Sequence, residues 1–324
     1  MRKWAGRYSQ QIFLFLMMIL ICFVLTVRSE YFFTWQNIRN ILEANSYRLI
    51  LAIGMTFVIA SGVMDLSAGS IVSLCGVIAA MLLHAGMPIP VVLICGIVSG
   101  MVLGAVNGLL IHYTGINFFI LTLATSGMLR GISLMITDGK PITKFGKSFM
   151  YLGIGRIGEF QISVIFAAFL TVMAFPLMFH MKWGNYIQAL GGNREALMKA
   201  GINTAFYRIS VHMVLGAAAA ITAIIITARL NSAEPNAGMN MELDAITAAV
   251  MGGTLISGGK ASITGTVLAV LILGIIRNGL TLMSISSDYQ QWITGFMLLI
   301  SVLISEIRVH KIKTLINNFK EETK

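Results

Sequence analysis

The residues of this chain best suited to chemistry lie in two short segments, 254–261 and 61–70. The first, TLISGGKA, approaches a phosphate-binding loop, Gly-x4-Gly-Lys-Ser/Thr, in which backbone N–H groups cradle phosphates and the final hydroxyl holds magnesium. Thr254 replaces the first glycine of that pattern and Ala261 replaces the hydroxyl residue. The segment also lies between two apolar runs rather than after a buried strand. We therefore expect its glycines to form a sharp turn and not a nucleotide site.

The second segment, SGVMDLSAGS, places Asp65 between two apolar runs. An ionisable group in such a position is costly and is often functional. In one interpretation Asp65 or Ser67 caps the following helix by accepting hydrogen bonds from its free backbone N–H groups. In the other, the segment is a broken helix near a gate. Both interpretations stay open on the sequence.

Other polar residues lie inside the apolar runs. Uncharged ones either bond neighbouring helices or line a path for a hydroxylated solute. With Asp65 and Ser67, the candidates for a gate or path are Asn107, Asn117, Thr122 and Asn278. Two bases inside apolar runs, Arg130 and Arg277, are expected to extend their head groups toward the membrane surface.

No catalytic or metal-binding pattern emerges. The five histidines are scattered, and no two have the i, i+4 spacing of a helical metal site. The three cysteines lie in apolar runs without metal-ligand or redox spacing, so buried hydrophobic positions are their default. We expect no enzyme activity and no cofactor in this chain.

The composition explains this scarcity, because the chain is 57% hydrophobic and 11% charged. Soluble domains carry about 25% charged residues. Apolar runs of about 20 residues, enough to cross the hydrocarbon core, recur throughout. We predict an all-α polytopic membrane protein, a single domain over 1–324, with about ten transmembrane helices including broken or re-entrant segments at 47–84 and 244–257. The predicted spans are 12–27, 47–64, 66–84, 90–112, 117–137, 161–181, 208–230, 244–257, 262–282 and 289–306.

The net charge of +10 is interpreted as a topology signal. Placing both termini in the cytoplasm puts most of the basic residues inside, as the positive-inside rule requires. The head, 1–11, the insert, 182–208, and the basic amphipathic tail, 307–324, are then cytoplasmic. The lipid bilayer is an expected partner. Nucleic acid is not, since no soluble basic domain is present.

The insert is the most distinctive polar stretch. It carries four bases between two apolar runs, and its pattern predicts a helix over 194–200 flanked by Gly191, Gly192 and Gly201. Gly201 suits a left-handed helix stop. Its expected use is to dock a partner at the cytoplasmic surface.

Four stretches resemble the ribose-type family of sugar ABC importer permeases. Residues 56–70, TFVIASGVMDLSAGS, resemble the family pattern TFVIxxGGIDLSVGS, and 184–202, GNYIQALGGNREALMKAGI, resemble GxxIxAxGGNxxAAxxSGI. The third stretch combines 251–253, 258–260 and 264–266. The fourth combines 278–280 with 286–291. The four follow one another in order from about residue 45 to about residue 305, nearly the whole chain.

The resemblance implies a bacterial inner-membrane permease subunit without an ATPase of its own. ATP and magnesium would be bound by a separate cytoplasmic ABC ATPase, a second permease copy or paralogue would complete the path, and an extracytoplasmic binding protein would deliver the sugar. It also implies a coupling loop for the ATPase, formed by Tyr186, Gly191, Gly192, Asn193, Glu195, Ala196 and Gly201. Movement of the ATPase pair would shift this loop as a rigid body.

The chain departs from the family pattern at Val63, Met64, Ala68, Leu197 and Met198. These differences leave the class intact and the substrate open. Permeases for branched-chain amino acids or nucleosides share the architecture. An ion-driven secondary transporter would require buried carboxylates, for which Asp65 is the one candidate. An intramembrane enzyme would require paired catalytic residues.

Overall fold

Helices α2 and α10 form the centre around which the other helices pack. The structure, a computed structural model, describes residues 2–286, 289–290 and 292–303. The helices are α1 (Arg2–Arg28), α2 (Trp35–Ala60), α3 (Ala68–His84), α4 (Ile89–Thr114), α5 (Phe118–Thr137), α6 (Lys147–Ile154), α7 (Ile162–Phe179), α8 (Lys182–Gly192), α9 (Arg194–Lys199), α10 (Thr204–Leu230), α11 (Met241–Met251), α12 (Ile263–Leu282) and α13 (Trp292–Leu303). The predicted tail, 307–324, lies outside the described residues.

The helical membrane architecture is confirmed, and the predicted number of spans is not. Among the described residues, seven helices are long and apolar enough to cross a membrane: α1, α2, α4, α5, α7, α10 and α12. The predicted spans 66–84, 244–257 and 289–306 correspond to the shorter helices α3, α11 and α13. With 11 residues, α11 is too short to cross the hydrocarbon core alone.

Helix α2 begins earlier than the sequence indicated. The predicted spans 12–27 and 47–64 left residues 28–46 as a connection, but α2 starts at Trp35, with the Thr34 side chain accepting a hydrogen bond from the backbone N–H of Asn37. The polar side chains of this part of α2 find partners on other segments. Asn37 exchanges amide hydrogen bonds with Asn278 at 2.9 and 2.8 Å. Such pairing lets polar residues continue a helix that is otherwise apolar.

The glycine-rich face of α4 packs directly against α10. A Cβ on Gly104 would lie 2.8 Å from the carbonyl carbon of His212, and one on Gly100 would lie 2.7 Å from the Ala220 Cβ. Because side chains are absent here, the two backbones approach closely. The stripe of small residues therefore serves helix packing.

Two long connections meet at the end of the molecule opposite α8 and α9. Strand β1 (Ile142–Thr143) pairs antiparallel with β4 (Ser232–Ala233), and β2 (Arg156–Ile157) pairs with β3 (Phe160–Gln161). The first pair joins the loop before α6 to the loop before α11. The pairing of β1 with β4 fixes the start of the loop that leads from α10 to α11.

Both arginines that were predicted to lie within spans have hydrogen-bond partners on the protein, and their extension toward the membrane surface stays a prediction. Arg130 donates hydrogen bonds to the carbonyl oxygens of Pro235 and Ala237, at 3.1 and 2.7 Å. Arg277 donates to the carboxylate of Asp244 and to the Thr294 hydroxyl. The acceptors come from the loop before α11 for Arg130, and from α11 and α13 for Arg277.

Candidate functional site

The polar insert folds into two helices rather than one. Helix α8 buries Gly184, Ile187 and Leu190, which are spaced so that one face lies on the protein. The Trp183 indole N–H donates to the Ser210 hydroxyl at 2.9 Å, which fixes α8 to the first turns of α10. The short helix α9 follows, and every residue of it except Leu197 is exposed. The insert thus consists of an anchored helix and a projecting one.

Helix α9 is bounded by specific caps. The Asn193 side chain accepts a hydrogen bond from the backbone N–H of Ala196 at 2.9 Å, as an N-cap does. Gly201 has φ of +76°, and its N–H donates to the Met198 carbonyl at 3.0 Å. The predicted helix over 194–200 therefore ends at Lys199, and the left-handed stop at Gly201 is present.

The predicted coupling residues divide between these two helices. Glu195 and Ala196 lie on the exposed α9, while Tyr186 lies on α8 with its ring 5.2 Å from that of Tyr207. Gly191 and Gly192, which were predicted to flank the helix over 194–200, do not form a separate connection to α9. They are the last two residues of α8, and Gly191 lies in close contact with two other segments.

That contact is a meeting of three backbone segments, which we call the glycine junction: Gly62, Gly191 and residues 258–259. A Cβ on Gly191 would lie 2.6 Å from the Gly259 nitrogen and would also overlap the Ala60 carbonyl oxygen. The Gly259 N–H donates to that same oxygen at 3.0 Å. Gly62, Gly258 and Gly259 all have positive φ, which glycine adopts without steric cost. The TLISGGKA segment is thus a turn, as predicted, and it packs on α8.

The glycine junction lies at the break between α2 and α3, where residues 61–67 carry two of the predicted gate residues, Asp65 and Ser67. Asp65 Oδ1 accepts hydrogen bonds from the Ser67 backbone N–H at 2.8 Å and from the Ser67 hydroxyl at 2.6 Å. The Asn107 side-chain amide donates to Asp65 Oδ2 at 3.2 Å and to the Ser67 hydroxyl at 2.6 Å. Asp65, Ser67 and Asn107 therefore form one buried group, in which Asp65 both orders the turn before α3 and belongs to a helix break.

His212 and Arg208 complete this group, which we call the Asp65 cluster. His212 Nε2 lies 3.9 Å from Asp65 Oδ2, and His212 Nδ1 lies 2.8 Å from the Arg208 carbonyl oxygen. The Arg208 guanidinium donates to both the carbonyl and the hydroxyl of Ser61, at 3.0 and 2.9 Å. A buried charge requires such partners. Since Ser61 is next to Gly62, the cluster is continuous with the glycine junction.

The other three candidates for the path lie elsewhere. Asn117 is the exposed N-cap of α5, and the Thr122 hydroxyl donates to the Phe118 carbonyl of its own helix at 2.7 Å. Asn278 pairs with Asn37 at the opposite end. Each of them supports a helix end or a helix contact and none touches the Asp65 cluster.

Sequence reasoning missed His212, Arg208, Arg48 and Asp244 as site residues. Arg48 and Asp244 line a polar cavity of about 400 Å³ near the start of α11, together with Arg277. The available signal was an ionisable residue within or beside an apolar run, the criterion that had selected Asp65. Arg48 and Asp244 fell at the predicted boundaries of spans, so neither was counted among the charges inside the membrane.

Comparison with known proteins bears on the whole chain. The profile of the family described as "branched-chain amino acid transport system / permease component" matches residues 37–302. The ribose import permease protein RbsC of Haemophilus influenzae is 37% identical over 302 residues, covering 92% of this chain and 94% of that protein. No solved structure gives a significant match.

Two further relatives carry other names. The D-allose transport system permease protein AlsC of Escherichia coli is 34% identical over 294 residues, covering 90% of each chain. The galactose/methyl galactoside import permease protein MglC of Haemophilus influenzae is 31% identical over 319 residues, covering 93% of this chain and 95% of that protein. The match is continuous from α2 to α13 and extends over nearly the full length of each relative. This chain therefore belongs to the family of membrane permease components that includes these sugar import permeases.

Proposed function

We propose that this chain is the membrane-spanning permease subunit of an ATP-binding-cassette importer for a simple sugar of the ribose type. The observation that carries the proposal is the exposed helix α9, joined through α8 and the glycine junction to the helix break that holds the Asp65 cluster. In such an arrangement, a partner bound to α9 is mechanically coupled to the membrane helices. The full-length similarity to named sugar permeases supports the same function.

The coupling step follows from the exposure of α9. An ABC ATPase, which would bind ATP and magnesium, docks on Glu195 and Ala196, where a small side chain permits close approach. Helix α8 carries the displacement to the glycine junction, because its apolar face is packed and Trp183 is bonded to Ser210. The backbone contacts there transmit it to α2, α3 and α12. The result is a rigid-body tilt of these helices.

The α8–α9 end faces the cytoplasm in this proposal. The bases Lys182, Arg194 and Lys199 lie there, in agreement with the positive-inside rule. Both termini are then cytoplasmic, in the bacterial inner membrane. The opposite end, with the paired loops of β1 and β4, receives an extracytoplasmic sugar-binding protein. A second permease copy or a paralogue completes the translocation path.

The substrate is assigned to the sugar class over the amino-acid class. The family description names branched-chain amino acids, whereas the three relatives compared above are named for ribose, allose and galactose. Those relatives match at 31–37% identity over nine-tenths or more of the chain. A sugar is therefore the favoured cargo, and a branched-chain amino acid or nucleoside is the second candidate.

The test is reconstitution of the chain in liposomes with an ABC ATPase and a sugar-binding protein from the same organism. We expect uptake of D-ribose, D-allose or D-galactose that requires ATP, and no uptake of leucine or uridine. Uptake driven by an ion gradient without the ATPase would overturn the importer assignment. ATP-driven uptake of leucine or uridine alone would retain the importer and overturn the sugar.

A paired binding measurement tests the docking helix. Glu195→Arg combined with Gly201→Trp places a reversed charge and a bulky side chain on the exposed part of the insert. We expect the variant to insert in the membrane and to lose copurification of the ATPase. The control, Lys140→Glu, reverses an exposed charge at the opposite end and should bind the ATPase normally.

A further inference from the structure

A polar cavity of about 400 Å³ opens between α2, the start of α11, α12 and α13. Its size lies within the range of small-molecule sites, roughly 300–1,000 Å³. Its polar lining comprises Arg48, Asn240, Asp244, Arg277, Gln290 and Thr294. So many hydrogen-bonding groups inside an apolar helix bundle are costly unless a polar occupant or water meets them.

The centre of this lining is the carboxylate of Asp244. Arg277 bonds to Asp244 Oδ1 and donates to the Thr294 hydroxyl at 3.1 Å. Arg48 Nε lies 3.9 Å from Asp244 Oδ2, beyond hydrogen-bond distance, and has no hydrogen-bond partner among the described residues. Arg48 Nη1 donates to the Ala44 carbonyl oxygen at 3.2 Å, so the unsatisfied donor is the Nε–H, which a hydroxyl group could link to Asp244 Oδ2.

The cavity has a floor that closes it toward the α8–α9 end. A second void of only about 10 Å³ continues from it and shares Arg48, Asp244 and Arg277. The deeper walls of that void are apolar, from Leu51, Ala248 and Val270 among others. A volume of this size holds at most about one water molecule. A solute entering from the opposite end would thus reach Asp244 and stop.

Arg48 lies in the middle of α2, so the cavity lies between the end of the molecule that contains Asn37 and the end that contains the Asp65 cluster. Asn37, at the outer end of α2, pairs with Asn278, and Thr56, at the inner end, lies 2.9 Å from Thr266. Arg48 lies between these two cross-links. The N-terminus of the short helix α11 also faces the cavity through Asn240 and Asp244. Broken helices that start within the membrane are the usual builders of transport sites.

We propose that this cavity, which we call the Asp244 station, is a transient binding station for a neutral polyhydroxylated monosaccharide on its way through the permease. The proposal rests on the proposed import of a sugar. The carboxylate of Asp244 accepts from sugar hydroxyls, and the Arg48 Nε–H and the amides of Asn240 and Gln290 complete the contacts. No aromatic ring belongs to the cavity lining among the described residues. A sugar therefore binds without a stacking surface and leaves readily, as passage through a conduit requires.

The lining carries two guanidinium groups, of Arg48 and Arg277, against the one carboxylate of Asp244, so its formal charge is +1. The choice of a sugar over an anion therefore rests on the proposed import of a sugar. A hydroxyl group donates to Asp244 and accepts from Arg48 at once, which matches the gap between them.

The first test measures transport by Asp244→Asn in the reconstituted importer, with whichever of D-ribose, D-allose and D-galactose the wild type takes up. The change keeps the shape and removes the charge-assisted acceptor. We expect the maximal uptake rate to fall about tenfold or more, because a hydrogen bond to a charged group is lost. The KM for sugar should stay unchanged, since the binding protein captures the solute. The matched control is Glu234→Gln, the same chemical change in the loop before α11, outside the cavity.

The second test detects the sugar at the cavity directly and does not depend on a destabilising change. Thr294→Cys is made with Cys22, Cys75 and Cys95 replaced by alanine, and the thiol is modified by a charged methanethiosulfonate added from the outside. The transported sugar should slow the modification at least about threefold, because an occupant of a site of this size shields its wall. The control thiol, Lys140→Cys, lies exposed at the same end and should react equally with and without sugar.

The outcomes separate the two proposals. If the wild-type importer takes up none of the three sugars, the proposed function fails. If it does take one up, while Asp244→Asn transports at the wild-type rate and the Thr294→Cys thiol is not protected, only the Asp244 station fails. Protection together with a reduced maximal rate supports the station.

Discussion

The backbone of Gly191 lies so close to Ala60 that a side chain at Gly191 would overlap the Ala60 carbonyl oxygen. The same oxygen accepts the Gly259 N–H at 3.0 Å. Three segments distant in sequence thus meet without side chains between them. The segments in such a contact have little freedom to shift relative to one another, since backbone atoms cannot move away by changing a side-chain rotamer. Displacement of α8 is therefore passed directly to the end of α2.

Gly191→Ala should disrupt this contact. The added methyl group must push apart the ends of α2 and the turn before α12, at a cost of about 1–3 kcal/mol or more. We expect lower thermal stability in detergent and loss of ATP-coupled uptake. The neighbouring change Gly192→Ala is the control, because its Cβ would meet nothing closer than 3.8 Å. Equal effects of the two changes would contradict the close-contact account.

Asn193→Ala should weaken the docking helix without disturbing the membrane helices. It removes the N-cap of α9, which is worth about 1 kcal/mol. We expect roughly fivefold lower affinity for the ATPase, because part of the binding energy must then order α9. Titration of the purified ATPase against the chain in nanodiscs measures this. Asn193→Asp keeps the acceptor and should restore affinity; failure of that rescue would argue against a capping role.

Asn107→Ala should destabilise the Asp65 cluster. The change leaves the buried Asp65 carboxylate and Ser67 hydroxyl without one of their partners, at a cost of about 1–3 kcal/mol. We expect a lower unfolding temperature and reduced transport. The matched change Asn117→Ala removes only an exposed cap on α5 and should cost about 1 kcal/mol or less. A wild-type unfolding temperature for Asn107→Ala would contradict the geometry described.

Gly104→Ala should separate α4 from α10. A Cβ there would lie 2.8 Å from the His212 carbonyl carbon, so overpacking of about 1–3 kcal/mol is expected. Gly127→Ala on α5 has no atom within 4 Å of the new methyl group. This second change should be neutral or slightly stabilising, since alanine favours helix by up to about 1 kcal/mol. Thermal unfolding of both variants in the same detergent checks the contrast.

The sequence was most informative where a single residue conflicts with its surroundings. Asp65, Ser67 and Asn107 were selected because they are polar within apolar runs, and the structure brings all three together. The same criterion also selected Asn117, Thr122 and Asn278, whose hydrogen bonds are local or lie at the other end. Polarity in a span indicates that a partner exists but does not identify it.

What the sequence could not supply were contacts between distant segments. Asp244 and Arg48 were placed at span boundaries because α11 is short and α2 begins before its apolar run. Only the packing of α2 against α11 and α12 reveals that their side chains share a cavity. The glycines of 191–192 and 258–259 were recognised as turn or hinge positions, but their contact with each other depends on tertiary structure.

The glycine junction also bears on how such a permease can diversify. The glycine junction is a contact between main-chain atoms. A mutation there can disrupt the contact, but it cannot adjust its strength by exchanging one contacting side chain for another. The two proposed binding surfaces differ from the junction in this respect. Helix α9 presents exposed side chains to the proposed ATPase, and the cavity at Asp244 presents polar side chains to the proposed sugar. In the proposed importer, one chain can thus acquire a new ATPase partner or a new cargo separately, while the contact between the two regions stays the same.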